Sequence, residues 1–136
     1  MTSPPAPSTA GGGDADAGVV LLKTSVVLTA VAPWLAGLRV EADQRGLALR
    51  SRAHAGYGIV YTWLAGAEAE LMAAIAALRA AAVETRGSLV VQESPPELLR
   101  RVDVWGPSAA LGVMRRVKER FDPHGTLNPG RFVGHI

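Results

Sequence analysis

Residues 19–94 predict an α+β fold, a four-stranded antiparallel sheet with two helices on one face. Three observations point to it. Four short β-branched or alternating runs are set apart by two stretches of helical periodicity. Their order is β-α-β-β-α-β. Nearly every boundary carries a Gly or Pro breaker.

Each element follows from its residues. Residues 19–28 (VVLLKTSVVL) are β-branched and aliphatic, a strand composition. Pro33 suits the first turn of a helix, Trp34, Leu35, Leu38 and Ala42 recur at helical spacing, and Gly46 stops it. Residues 47–54 (LALRSRAH) alternate, with Leu47, Leu49, Ser51 and Ala53 on one face and Ala48, Arg50, Arg52 and His54 on the other. Ala55-Gly56 predicts a short turn. Residues 57–64 (YGIVYTWL) alternate again, with Tyr57, Ile59, Tyr61 and Trp63 together, so the two runs form a hairpin. Residues 68–86 carry the clearest helix. Leu71, Ile75, Leu78 and Ala82 make its apolar stripe, Glu68 and Glu70 favour the N-terminal end of its dipole, and Gly87 ends it. Residues 88–93 (SLVVQE) are the fourth strand, closed by Pro95-Pro96. This order is the split βαβ of the ferredoxin-like fold.

On either side the composition changes. Residues 1–18 hold three Pro, four Gly and four Ser or Thr, and read as a disordered tail or linker. Residues 95–136 read as a C-terminal segment: an irregular stretch, a helix over 108–121 and a turn-rich tail. In that helix Leu111, Met114, Val117 and Phe121 form a stripe, flanked by Arg115, Arg116, Lys118 and Arg120.

Composition excludes several chemistries. With no cysteine there are no disulfides, thiolate nucleophiles, Cys-ligated zinc or iron–sulfur ligands. Three scattered histidines do not suggest a metal site, and none is expected. No apolar run approaches the roughly 20 residues of a membrane span. Residues 100–136 carry seven basic groups against three acidic ones, a surplus that attracts anions or an acidic partner.

The tail holds the most specific pattern. Asp122-Pro123-His124-Gly125 has the makings of a type I turn and Asn128-Pro129-Gly130-Arg131 of a type II turn. Together they aim an amide and a planar guanidinium in defined directions. On residue chemistry alone, such turns more often merely tie down a C-terminus. His54, with Arg50 and Arg52 on the same strand, offers a base beside two cations, although such a group is more often a solvated hairpin end. The run 55–62 (AGYGIVYT) only partly fits an RNA-binding strand signature: it lacks the leading basic residue and two of the aromatics. No nucleic acid is expected. A stand-alone ferredoxin-like ligand-binding or interaction module stays open, since that sheet specifies no function.

Residues 113–132 (VMRRVKERFDPHGTLNPGRF) resemble the C-terminal signature of FAD-linked oxidases of the vanillyl-alcohol oxidase type, a basic helix followed by F-D-P-x-G-x-L-N-P-G-[RK]. Residues 95–99 (PPELL) and 102–107 (VDVWGP) make the stretch similar to the FAD-binding subunits of bacterial glycolate oxidases. The resemblance implies a cap domain on a ferredoxin-like sheet, followed by a segment that returns to the flavin domain. Asn128, Pro129, Gly130 and Arg131 would then lie beside FAD. It also implies a small 2-hydroxy acid as substrate. His54 would be its catalytic base, and Arg50 or Arg52 would hold its carboxylate. The implied partners are a flavin-binding domain or subunit and an iron–sulfur subunit. The implied location is the cytoplasm or the periphery of the inner membrane. Related dehydrogenases carry H-x-G-x-G-x-x-H where this chain has His54-Ala55-Gly56-Tyr57-Gly58-Ile59-Val60-Tyr61, so Tyr61 stands in place of the second His. Neither G-x-G-x-x-G nor G-x-x-x-x-G-K-[ST] occurs. The chain is therefore expected to be a fragment, a split product or one half of an assembled site, inactive and flavin-free alone.

Overall fold

The computed structural model describes residues 17–136. The aliphatic first run forms β1 (Ala17–Ser25), which pairs antiparallel with β3 (Ile59–Ala67) from Ala17 opposite Ala67 to Ser25 opposite Ile59. This corrects the expected span of 19–28. Val26, Val27 and Leu28 continue the apolar run, but β3 begins at Ile59 and supplies no rung beyond Ser25. The Val26 N–H instead donates to the Gly58 carbonyl at 2.8 Å, and Leu28–Ala30 coil into a 3₁₀ turn. At its other end β1 reaches Ala17 because β3 runs on to Ala67. Gly18 thus belongs to the sheet. The expected disordered tail otherwise concerns residues 1–16, which lie outside the described residues.

Helix α1 (Val31–Arg45) buries Val31, Trp34, Leu38 and Ala42, and Gly46 ends it in the left-handed conformation (φ +64°). Strand β2 (Ala48–His54) pairs antiparallel with β3, from Ala48 opposite Ala65 to His54 opposite Ile59. The hairpin between them is longer than Ala55-Gly56. A 3₁₀ turn spans Ala55–Tyr57, and Gly58 follows at φ +67°. Tyr57 therefore lies in the turn, exposed, rather than on β3. The reason is a close approach: the residue leaving this turn has positive φ, and a Cβ there would sit 2.1 Å from the Val26 carbonyl oxygen, so only glycine fits.

Helix α2 (Glu68–Glu84) buries Leu71, Ala74, Ile75, Leu78 and Ala82. It stops two residues short of the expected 86: the Thr85 hydroxyl donates to the Ala82 carbonyl at 2.9 Å, and Arg86 turns left-handed at φ +56°. Strand β4 (Ser88–Glu93) pairs antiparallel with β1. The sheet order is β2-β3-β1-β4. Val20 and Leu22 of β1, Val60 and Leu64 of β3, and Leu89 and Val91 of β4 meet the two helices in one core. The α+β, ferredoxin-like layout predicted from the sequence is thus the observed one.

A short helix, α3 (Pro96–Leu99), follows β4. Leu98 is 1% exposed in the core, and Val102 and Val104 pack against it. Arg79 donates to the backbone carbonyls of Asp103 and Val104, and the Val91 N–H bonds the Val104 carbonyl at 2.9 Å. Residues 95–104 therefore pack with the sheet. The chain divides into two compact units after Val104. The second, Trp105–Ile136, contains α4 (Leu111–Phe121) and a final 3₁₀ turn, Val133–His135. No helix among the described residues is long and apolar enough to cross a membrane.

Candidate functional site

In the first unit, the pleat separates core from chemistry. Val20, Leu22, Val60 and Leu64 point to the helices, so the alternate residues line the other face of the sheet. Arg50, Arg52 and His54 share that face at two-residue spacing. Across the β2–β3 ladder they oppose Trp63, Tyr61 and Ile59. On the other side of β3, Leu21 opposes Trp63 and Lys23 opposes Tyr61. Directly opposed side chains sit roughly 5 Å apart at Cβ, so Lys23, Tyr61 and Arg52 form a row across three strands. The His54 and Tyr61 rings meet edge-on, with centroids 5.9 Å apart at 80°.

The structure thus places all three residues singled out by sequence on one face and adds Lys23 and Tyr61. Among the described residues no ion pair engages Lys23 or Arg52. A carboxylate set between those cations would be held by charge-assisted hydrogen bonds. An imidazole such as that of His54 has a ring nitrogen able to accept a hydroxyl proton. Only the strand register reveals that Lys23 joins the group. Its one sequence signal is a cation interrupting an otherwise apolar strand. No cluster of three or more His, Cys, Asp or Glu side chains occurs among the described residues.

The second unit is built around Asp122. Helix α4 ends at Phe121. The Asp122 carboxylate, 7% exposed, then accepts bonds from the Lys118 ammonium, the Thr126 N–H (2.8 Å), the Thr126 hydroxyl (3.0 Å) and the Leu127 N–H (2.9 Å). Lys118 also donates to the Leu127 carbonyl. These contacts, led by the Lys118 bond and then the Leu127 N–H, hold the Asp122 carboxyl well below the usual carboxylate range.

From this hub the tail follows the two expected turns. The Gly125 N–H bonds the Asp122 carbonyl at 3.0 Å, and the Arg131 N–H bonds the Asn128 carbonyl at 3.2 Å with Gly130 at φ +72°. Asn128 itself is left-handed at φ +45°, a conformation Asn tolerates better than most residues. Asn128 and Arg131 are both exposed. The chain then returns: Phe132 packs edge-on to Trp105 at 5.2 Å, and Val133 is buried.

The stripe on α4 is covered only in part: Leu111 and Met114 are half-buried, whereas Val117 and Phe121 are exposed. The helix buries no residue, and Phe121 is 80% exposed. Between α4 and the tail lies an apolar groove of about 700 Å³, with Asn128 and Arg131 at its edge. Sequence reading anticipated the stripe and the turns but not this groove. Its lining joins α4 residues to Leu127, whose N–H the Asp122 carboxylate holds.

Residues 105–132 match a family model described as "FAD linked oxidases, C-terminal domain". The match begins at the first residue of the second compact unit and supports an FAD-linked oxidase C-terminal domain there. No curated protein matches the chain.

Proposed function

We propose that this chain is the substrate-side and C-terminal part of an FAD-linked oxidase, acting on a small 2-hydroxy acid of the glycolate type, with the flavin held mainly by another domain. The observation that carries the reading is the family-matched segment itself. It folds as a unit that fixes Asn128 and Arg131 outward beside an uncovered apolar groove.

The residues present fit a flavin edge. Asn128 offers a donor and an acceptor and Arg131 a fork of donors, matched to the carbonyls and ring nitrogens along a flavin edge. Asn128, Pro129, Gly130 and Arg131 would hold that edge. When bound, FAD supplies an acceptor for the hydride from the hydroxyl-bearing carbon. The rest falls to this chain's own groups on the sheet face turned away from the helices. Arg52 and Arg50 orient the substrate carboxylate, and the His54 imidazole takes the hydroxyl proton, leaving the oxidised product as a 2-oxo acid. An iron–sulfur subunit is the proposed electron acceptor and the cytoplasm, or the periphery of the inner membrane through such partners, the proposed location.

The test is co-expression of the chain with the FAD-binding domain of an oxidase of this type. Flavin absorbance should be absent from the chain purified alone and present in the co-purified pair. Asn128→Ala with Arg131→Ala should strip it from the pair. A pair that forms yet holds no more flavin than its separate components would overturn the reading.

A further inference from the structure

The apolar groove of the second unit has a charged border, and that border selects its occupant. At 100° per residue, Val113, Val117 and Phe121 follow one another along one side of α4. The groove they share with Leu127 and Phe132 is concave, about 700 Å³. The helical period places Arg116 and Arg120 next to Val113 and Val117 on one flank, and Arg131 is part of the groove's lining. Glu119, the one acidic residue inside α4, falls on the back with Arg115. Asp122 is at the groove, but Lys118 and the Thr126 and Leu127 amides already use its charge. Among the described residues no ion pair engages Arg116, Arg120 or Arg131.

We infer that this groove docks a partner's amphipathic helix, one with an apolar ridge flanked by Asp or Glu. The inference rests on the reading above, in that such a helix would belong to the flavin-holding partner, and it names the chemistry of the face that partner must present. A second copy of the chain is disfavoured, since it would bring the same arginines against each other. A lipid surface suits a helix lying flat on it, whereas here the apolar residues line a hollow between helix and tail, which fits a ridge. Apolar contact in the groove would supply the affinity, and the arginine rim would set orientation and partner choice.

The full chain is titrated with a helical peptide carrying a Leu ridge flanked by Glu, and with the same peptide carrying Lys for Glu. The acidic peptide should bind more tightly, and its affinity should fall as salt shortens the screening length. Arg116→Glu with Arg120→Glu, both exposed positions, should weaken it by about tenfold and favour the Lys peptide instead. Val117→Asp should abolish binding of both, and circular dichroism would check that each variant stays folded. Equal binding of both peptides, no binding of the acidic one, preferential binding to vesicles of anionic over zwitterionic lipid, or a groove-dependent dimer in sedimentation would each overturn the inference. Peptide preference without flavin retention in the co-expression test would keep this inference and remove the oxidase reading. Flavin retention without the preference would do the reverse.

Discussion

A carboxylate that collects a lysine, two amides and a hydroxyl makes Asp122 the fastener of the tail. Its role is local, so its loss should loosen Thr126–Leu127 without unfolding the sheet. Asp122→Asn should speed hydrogen exchange at the Thr126 and Leu127 amides and leave that of β1 and β3 unchanged. The pH dependence has a definite sign. Asp122 titrates lower when folded than when unfolded. Its contribution is therefore complete above the unfolded value, near pH 4, and is lost as pH falls from there through the folded value. The tail should keep native chemical shifts at neutral and mildly acidic pH and lose them only under strong acid. Unchanged tail shifts down to the pH where the sheet unfolds would remove Asp122 from this role. His54 makes a different prediction. It is half-buried at a strand end, in contact with Tyr61, so His54→Ala should leave the fold intact. In the assembled enzyme it should lower turnover by about 10²–10⁴-fold, the usual yield of a general base. Unchanged turnover would take His54 out of the chemistry. Asp122 and His54 were both legible in the sequence, one as the Asp of a turn and the other as a His on an alternating strand. The Thr126 and Leu127 contacts were not, because they depend on how the loop closes.

At the scale of elements, two joints carry the first unit. The β2–β3 hairpin passes so close to Val26 that a side chain at Gly58 would strike its carbonyl. Gly58→Ala should therefore cost more than about 1 kcal/mol, from positive φ and the clash together, measured as a lower midpoint in urea. Helix α3 is a single turn, yet it plants Leu98 in the core. Leu98→Ala should cost about 2–5 kcal/mol, and a surface-like loss below about 0.5 kcal/mol would show that this segment is not anchored. Strand and helix identities could be read from periodicity, but these joints could not. The sequence gives the hairpin as Ala55-Gly56, whereas contact with Val26 decides that Gly58 must leave the turn. Likewise PPELL reads as irregular until the core offers Leu98 a place.

For the whole molecule, the division after Val104 matters most. The apolar core runs from Val20 to Leu98 and lies wholly within the first unit. A chain ending after Val104 should therefore still unfold in one cooperative transition by circular dichroism. A broad, non-cooperative melt would mean that the boundary is misplaced. The second unit, by contrast, has a helix with no buried residue.

By itself the sequence determined the order of strands and helices, because hydrophobic period and Gly or Pro breakers act locally. It also determined the two tail turns, because Pro and Gly fix backbone angles wherever they stand. Tertiary structure alone decided which strand ends find partners, that Lys23 stands across from Tyr61, and that the Leu127 amide closes on Asp122. Those outcomes depend on register and on chain closure between distant residues, and no short-range preference encodes either.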